Sequence, residues 1–295
     1  MNERDRVQER ARTLRQDRVP YVHARVVLAE RPTSAKPGDE ALVLGDGTME
    51  GFVGGTCAES TVRAQSLTLL DSGESLLLRI APNDETQQPG KLTVVNPCLS
   101  GGSLEIFLQP VIPAPMVAVH GDTPIARSLL AIGATLGYDL VPWSASDPEG
   151  AAAVVVASHG RNEEEVLDAA LAAGVPYVGL VASRKRGDAV LASLRADEAT
   201  RARVHTPAGV DIGARTPEEV ALSILAEIVA DRPRPSARPL AGSETAGVEM
   251  ANDPVCGMPV AMVDSSLHFD QDGKRWWFCG TGCLRAFAAD SDAYA

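Results

Sequence analysis

Five cysteines carry most of the chemistry this sequence could perform, and each lies close to glycine. Cys57 stands in "GGTCAES", Cys98 in "NPCLSGG", Cys256 in "DPVCGM", and Cys279 and Cys283 in "FCGTGC". A thiol can act as a nucleophile or a soft metal ligand, or simply pack as a small hydrophobe. Cys279 and Cys283 are four apart. Both face one side of a helix that begins near Gly280, and Cys256 on the preceding turn completes three ligands. Three thiolates suit Zn(II) or three-coordinate Cu(I). His268, Asp253 or a solvent molecule is open as a fourth ligand.

Thr56-Cys57-Ala58-Glu59 fits a capping box, with Thr56 as N-cap and Glu59 reaching back from the third helical position. Cys57 then lies in the first turn, where amides and the helix dipole favour an anion and lower a thiol's pKa. Gly54 and Gly55 allow a ligand close to the backbone. Cys98, followed by Gly101 and Gly102, repeats these ingredients in reverse order, so the two thiols could face one shared site. Spacing alone leaves packing as the plainer explanation of both.

Three bodies of sequence must position these residues. Residues 1–112 open with a polar helix from about Glu3 to Arg15, followed by the strand "VHARVVLAE". The hairpin signal Asp46-Gly47 comes next, then a helix from Cys57 to about Leu70 that stops at Gly73. "SLLLRI", "KLTVV" and "SLEIFLQP" complete a mostly antiparallel α+β domain. "PVIPAP" is a stiff connector. Over 113–231, short apolar strands alternate with amphipathic helices, which predicts a Rossmann-like, doubly wound parallel sheet. Its last helix starts at Thr216, with Pro217 in the first turn and Glu219 closing a capping box. Residues 232–250 read as a flexible linker, and 251–295 as a small separate unit. A unit of that size needs a metal or a docking surface to be stable.

The chain has 295 residues, 45% of them apolar and 22% charged, as in ordinary globular proteins. A net charge of −12 repels phosphate and disfavours nucleic acid or anionic membrane as a partner. No stretch has the ~20 apolar residues of a membrane span, and the charged start lacks a signal-peptide core. An odd number of cysteines is no disulfide framework, so a cytoplasmic, reduced protein is expected.

In the middle segment "VAVHGDTPIA" places Gly121, Thr123 and Ala126 against a G-x-G-x-x-G/A turn. A side chain occupies the second position, and the second strand ends at Trp143 instead of an acidic residue. Ordinary NAD(P) binding is therefore disfavoured, while a phosphate near Thr123 stays open. His159, the cluster beginning at Ser183 and Arg184, and "GVDIGAR" with Asp211 and Arg215 all fall beyond the carboxyl ends of strands. Ligands bind there in such sheets. A solvated helix start, a loop histidine and an Asp211–Arg215 pair are the bland alternatives. No Ser-His-Asp set or paired-carboxylate motif supports hydrolase chemistry.

"KPGDEALVLGDGTMEGFVGGTCAES", "NPCLSGGSLEIFLQP", "GVPYVGLVASRKR" and "GVDIGARTPEEVALSILAEIVA" resemble the blocks of the XdhC/CoxF family, which serves molybdenum hydroxylases. The last 45 residues resemble a YHS domain, a treble-clef-like, TRASH-related metal module. Here Thr56 replaces the commoner glycine before the cysteine, and "CLSGG" replaces a tighter Cys-Gly-Gly. These departures suggest the carbon monoxide dehydrogenase branch. The resemblance implies a carrier of molybdenum cofactor (molybdopterin or its cytosine dinucleotide) that supports its sulfuration or metal loading. It implies a maturation factor without turnover of its own. The implied partners are a cysteine desulfurase-type sulfur donor and the large subunit of a molybdenum hydroxylase, and a homodimer is compatible with such a carrier. Gly54, Gly55, Cys57, Glu59, Cys98, Gly101 and Gly102 would face the cofactor, with Gly121, Thr123, His159, Ser183, Arg184, Asp211 and Arg215 as the middle-domain contribution. Zn or Cu would occupy Cys256, Cys279 and Cys283. An NAD(P)-dependent oxidoreductase and a thiol-based Cu/Zn adaptor or sensor are the competing readings.

Overall fold

A computed structural model describes residues 2–83, 88, 90–95, 102–143, 150–231, 249–271 and 273–294. The chain divides into two compact units, Met1–Pro113 with Pro235–Ala295, and Ala114–Arg234. Most of the segment read as a linker, and Cys98 and Gly101, lie outside the described residues.

In the first unit, helix α1 (Glu3–Gln16) leads into strand β1 (Tyr21–Glu30), then β2 (Glu40–Leu44) and β3 (Met49–Gly51). Asp46 and Gly47 make the turn between β2 and β3, with Leu44 N–H donating to Thr48 O at 2.9 Å. Helix α2 (Thr56–Ser72) follows, and then β4 (Leu76–Ala81), β5 (Lys91–Val95) and β6 (Ser103–Val111). The sheet order is β3-β2-β1-β6-β4-β5. It is mostly antiparallel as expected, but β4 and β5 pair in parallel. One face carries α2, whose Ala58, Val62 and Leu69 join Val22, Leu78, Ile106 and Leu108 in a buried core. Helix α2 ends where Gly73 N–H closes on Leu69 O at 2.8 Å.

The second unit is the doubly wound sheet that the alternating pattern predicts. Its strands are β7 (Met116–His120), β8 (Asp139–Pro142), β9 (Ala153–Val156), β10 (Tyr177–Leu180) and β11 (Val204–His205), in the order β11-β10-β9-β7-β8. Every described pairing in this sheet is parallel. Helices α3 (Pro124–Gly133), α4 (Glu163–Ala172), α5 (Arg184–Ser193), the short α6 (Glu198–Arg201) and α7 (Pro217–Asp231) complete it. Residues of α3 and α7 share one apolar core, and those of α4 and α5 share another across the sheet. Two cores divided by a sheet explain why the strands read as continuous Val/Ala runs.

The capping box at α7 forms as its sequence dictates. Glu219 N–H donates to Thr216 Oγ1 at 3.3 Å, and Glu219 Oε2 accepts from the amides of Arg215 and Thr216 at 2.7 and 3.1 Å. Those amides, Arg215 first, hold the Glu219 carboxyl below its ordinary range. A carboxylate with a depressed folded-state pKa stabilises the fold above its unfolded pKa of about 4.3, and that stability is lost as pH falls through the lower folded value. A Glu219→Ala variant is expected to melt below the parent at pH 7, with the gap closing in acid. Thermal melts from neutral pH into acid check it, and a gap of constant size would contradict it.

The C-terminal module packs into the first unit. It comprises β12 (Met250–Asn252) paired with β13 (Pro259–Ala261), the hairpin β14 (Leu267–Gln271)–β15 (Lys274–Phe278), and α8 (Thr281–Ala289). Phe287 of α8 is fully buried beneath Trp276, Phe278 and Phe269, with ring centroids at 5.1, 5.3 and 6.3 Å. Ala261 packs on Ala64 and Leu67 of α2. Ser265 Oγ donates to Asp46 O at 3.3 Å. The docking surface expected for so small a module is therefore the outer side of α2 and the β2–β3 turn.

Candidate metal centre and cofactor-facing residues

The start of α2 differs from the capping-box expectation. Gly55 is the N-cap and makes no side-chain cap bond; Thr56 is already helical, and Glu59 N–H donates to Gly55 O at 3.0 Å. Cys57 thus stands one position further into the helix than the box implied. The cause is the extended conformation of Gly55 (ψ 172°), which starts the helix a residue early. Glu59 is not drawn back to a cap, and burial raises its pKa against the opposing charge of Arg63.

Cys57 does not stand alone. It packs in a cluster with Cys256, Cys279 and Cys283 beside Met258, Val260 and Trp277. Its sulfur helps raise the pKa of Cys279. A methyl group built on Gly280 would lie 3.3 Å from Cys57 Sγ, so the turn carrying Cys279 lies directly against the start of α2. The expected pairing of Cys57 with Cys98 falls outside the described residues, because Cys98 does; the sulfur neighbour that is described is Cys279.

The module's own thiols are gathered by three local devices. The β12–β13 turn presents Cys256, the end of β15 presents Cys279, and the first turn of α8 presents Cys283. Cys256 Sγ and Cys279 Sγ are 3.4 Å apart, and Cys279 Sγ and Cys283 Sγ 3.8 Å. A tetrahedral zinc–thiolate centre with bonds of about 2.3 Å has sulfur–sulfur edges of about 3.8 Å, whereas a disulfide bond is about 2.05 Å. The spacing fits a metal. One ligand atom each from Asp253, Cys256, Cys279 and Cys283 lies within 4.8 Å of the others. His268 is not in this group: its Nδ1 faces Ser266 O at 3.0 Å, and its ring lies tilted against Trp277.

Asp253 organises the centre. Its side chain is buried, Oδ1 accepts from Val255 N–H at 2.9 Å and Cys256 N–H at 3.4 Å, and Oδ2 accepts from Cys279 N–H at 2.8 Å. One carboxylate therefore ties together the two backbone segments that carry Cys256 and Cys279. The thiols respond differently. Cys256 is lowered to about 7, chiefly by its hydrogen bond with Cys279 and further by the Met258 amide, against burial. Cys279 is raised by its bonds with Cys256 and Cys57 and by burial, and Cys283 is pushed up to about 12 by burial and the Asp253 charge. A metal binding these thiols would displace their protons.

The remaining first-unit residue described, Gly102, has a structural reason for its identity: a Cβ there would lie 2.1 Å from Pro32 O. Gly54 directly precedes the Gly55 cap.

In the second unit, the switch point between β7 and β9 is where ligands bind in sheets of this strand order. Gly121 sits there with φ +116°, and a Cβ would lie 2.2 Å from Ala157 O. Thr123 Oγ1 donates to that same carbonyl at 2.8 Å and accepts from Ala126 N–H at 3.2 Å. The turn is closed onto the end of β9, and the Thr123 proton is committed inside the fold instead of being offered to a phosphate. His159 follows β9 with positive φ and is exposed. Ser183 caps α5 by accepting from Arg186 N–H at 3.4 Å, and Arg184 is exposed in the first turn. Asp211 Oδ1 accepts from Gly213 N–H at 3.2 Å, and no Asp211–Arg215 ion pair occurs among the described contacts.

Glu163 was not singled out in the sequence. Its buried carboxylate binds Gly160 N–H, Ser158 Oγ and the Arg186 guanidinium, joining the loop after β9 to α5. Three consecutive glutamates, 163–165, gave no sign of which one turns inward. No helix among the described residues is long and apolar enough to cross a membrane.

Comparisons with known proteins match three stretches of the chain. Residues 14–81 match the XdhC and CoxI family, residues 117–228 the XdhC Rossmann domain, and residues 251–295 the YHS domain. The chain is 28% identical over 252 residues to "Uncharacterized protein YqeB" of Escherichia coli (strain K12), covering 74% of this chain and 45% of that protein. It is 31% identical over 83 residues to a protein of Bacillus subtilis (strain 168) named as a probable xanthine dehydrogenase subunit, covering 28% and 24%. The chain spans less than half the length of these curated relatives. A crystal structure of a xanthine dehydrogenase from Bacillus halodurans overlaps 80% of this chain and 98% of its own at 16% identity, with a TM-score of 0.36.

Proposed function

From a chain that joins XdhC-family segments to a YHS domain, we propose a maturation factor for a molybdenum hydroxylase of the xanthine dehydrogenase or carbon monoxide dehydrogenase type. It holds molybdenum cofactor, as molybdopterin or its cytosine dinucleotide, and presents it for sulfuration or metal loading before insertion. The client is the hydroxylase large subunit, the sulfur comes from a cysteine desulfurase-type donor, and the work takes place in the cytoplasm, with a homodimer as one form of the carrier. The observation that carries the reading is the occurrence of both XdhC segments in one chain with a relative named as a xanthine dehydrogenase subunit.

The residues present are compatible with that cargo. The glycine-led start of α2 leaves first-turn amides without a side-chain cap, which favours an anionic group there. Gly54, Gly55, Cys57 and Glu59 would face it, with Cys98, Gly101 and Gly102 as the second block. Within the second unit taken by itself, Gly121, Thr123, His159, Ser183, Arg184, Asp211 and Arg215 are the proposed polar and backbone-approach residues, at the carboxyl edge of its sheet. The cofactor supplies the molybdenum and dithiolene chemistry when bound; the protein binds, orients and shields it. The closed turn at Gly121 and Thr123 counts against an NAD(P)-dependent oxidoreductase.

Protein purified anaerobically from a cofactor-producing host is expected to retain molybdenum and pterin in equal amounts and to give no heat with NAD(H) or NADP(H). Dinucleotide binding without pterin would replace the carrier by an oxidoreductase.

A further inference from the structure

We propose that Cys57 of α2 supplies the fourth thiolate of a zinc site whose other three ligands are Cys256, Cys279 and Cys283. The site then belongs to two parts of the first unit, and the metal staples the C-terminal module onto the α2 start. Three observations carry this. Cys57, Cys256 and Cys283 all pack against the buried cluster that contains Cys279, and a Cβ built on Gly280, the neighbour of Cys279, would lie 3.3 Å from Cys57 Sγ. The other candidate, Asp253, already accepts three backbone N–H bonds with its two oxygens, a role that shapes the ligand loops. The module is also fixed to α2 independently of any metal, through Ala261 on Ala64 and Leu67 and through Ser265 on Asp46, so Cys57 is held in place beforehand.

A fourth thiolate added to the three of the module would select Zn(II) over the three-coordinate Cu(I) that the module's own cysteines suit. Binding replaces the thiol protons, which leave to solvent, and no electron is transferred. A consequence for the proposed carrier follows. Cys57 is engaged by zinc while zinc is present, and its thiol is available to react only when zinc is absent. This consequence rests on the carrier reading, whereas the four-thiol site does not.

The test uses the full chain, reduced and loaded with one equivalent of Zn(II) under anaerobic conditions. Zinc K-edge absorption is expected to show a first shell of four sulfurs at about 2.3 Å. Cys57→Ser should give three sulfurs and one lighter atom, with zinc affinity at least about 10-fold weaker against a competing chelator. Three sulfurs and one oxygen in the parent protein would overturn the proposal without reference to any variant. Four sulfurs persisting in Cys57→Ser would overturn it too, because another thiol such as Cys98 would then be the ligand. Molybdenum and pterin content, measured on the same preparations with and without zinc, reports the carrier reading separately.

Discussion

An Asp253→Ala variant is expected to lose both the order of the C-terminal module and most of its metal affinity. The substitution leaves the buried amide of Cys279 and the part-buried amides of Val255 and Cys256 without their common acceptor. A buried orphaned donor costs about 1–3 kcal/mol, and the two part-buried ones add to it, on a small module with little core to spare. Metal affinity should fall by about 10–100-fold, the usual effect of removing a group that orients ligands. Asp253→Asn retains the size of the side chain but sets an amide nitrogen against at least one backbone donor, and it is expected to fall between the two. Chelator competition and amide exchange over residues 249–294 read both effects. Native-like affinity in Asp253→Ala would show that the ligand loops hold themselves.

A Gly121→Ala variant is expected to destabilise the second unit by about 3 kcal/mol or more, because both the backbone angle and the space are forbidden. The residue sits at φ +116°, and the added methyl would stand 2.2 Å from Ala157 O. Chemical denaturation followed through the second unit should show an earlier transition, while zinc uptake by the first unit is unchanged. A stable Gly121→Ala protein would mean that the turn opens readily. The phosphate role would then return for Thr123.

The periodic parts of the fold were legible from the sequence because one residue pattern admits one packing. Val/Ala runs buried on both faces required a parallel sheet, and Thr216, Pro217 and Glu219 dictated the start of α7. The parallel pairing of β4 with β5 was not legible, because strand direction is set by the path of the connection, and residues 82–90 carry no periodicity. The start of α2 was misplaced by one residue, since Gly55 and Thr56 both suit an N-cap and only backbone geometry decides between them.

At the candidate site, the spacing of Cys279 and Cys283 marked the metal module directly. The meeting of Cys57 with Cys279 left no such mark. They are more than 200 residues apart, and the surfaces that bring them together, Ala64, Leu67 and Ala261, are ordinary small apolar side chains. Asp253 stood in the sequence as one of three options for a fourth ligand. Its buried bonds to three amides recast it as the group that shapes the loops.

Reconstitution of an apo molybdenum hydroxylase tests the central claim most directly. The full chain, loaded with molybdenum cofactor, is mixed with the purified cofactor-free enzyme and a sulfur donor, and recovered hydroxylase activity is compared with that from free cofactor alone. A maturation factor raises the recovered activity well above the free-cofactor control, and a Cys57→Ala chain does so less. Equal recovery with and without the protein would contradict the account.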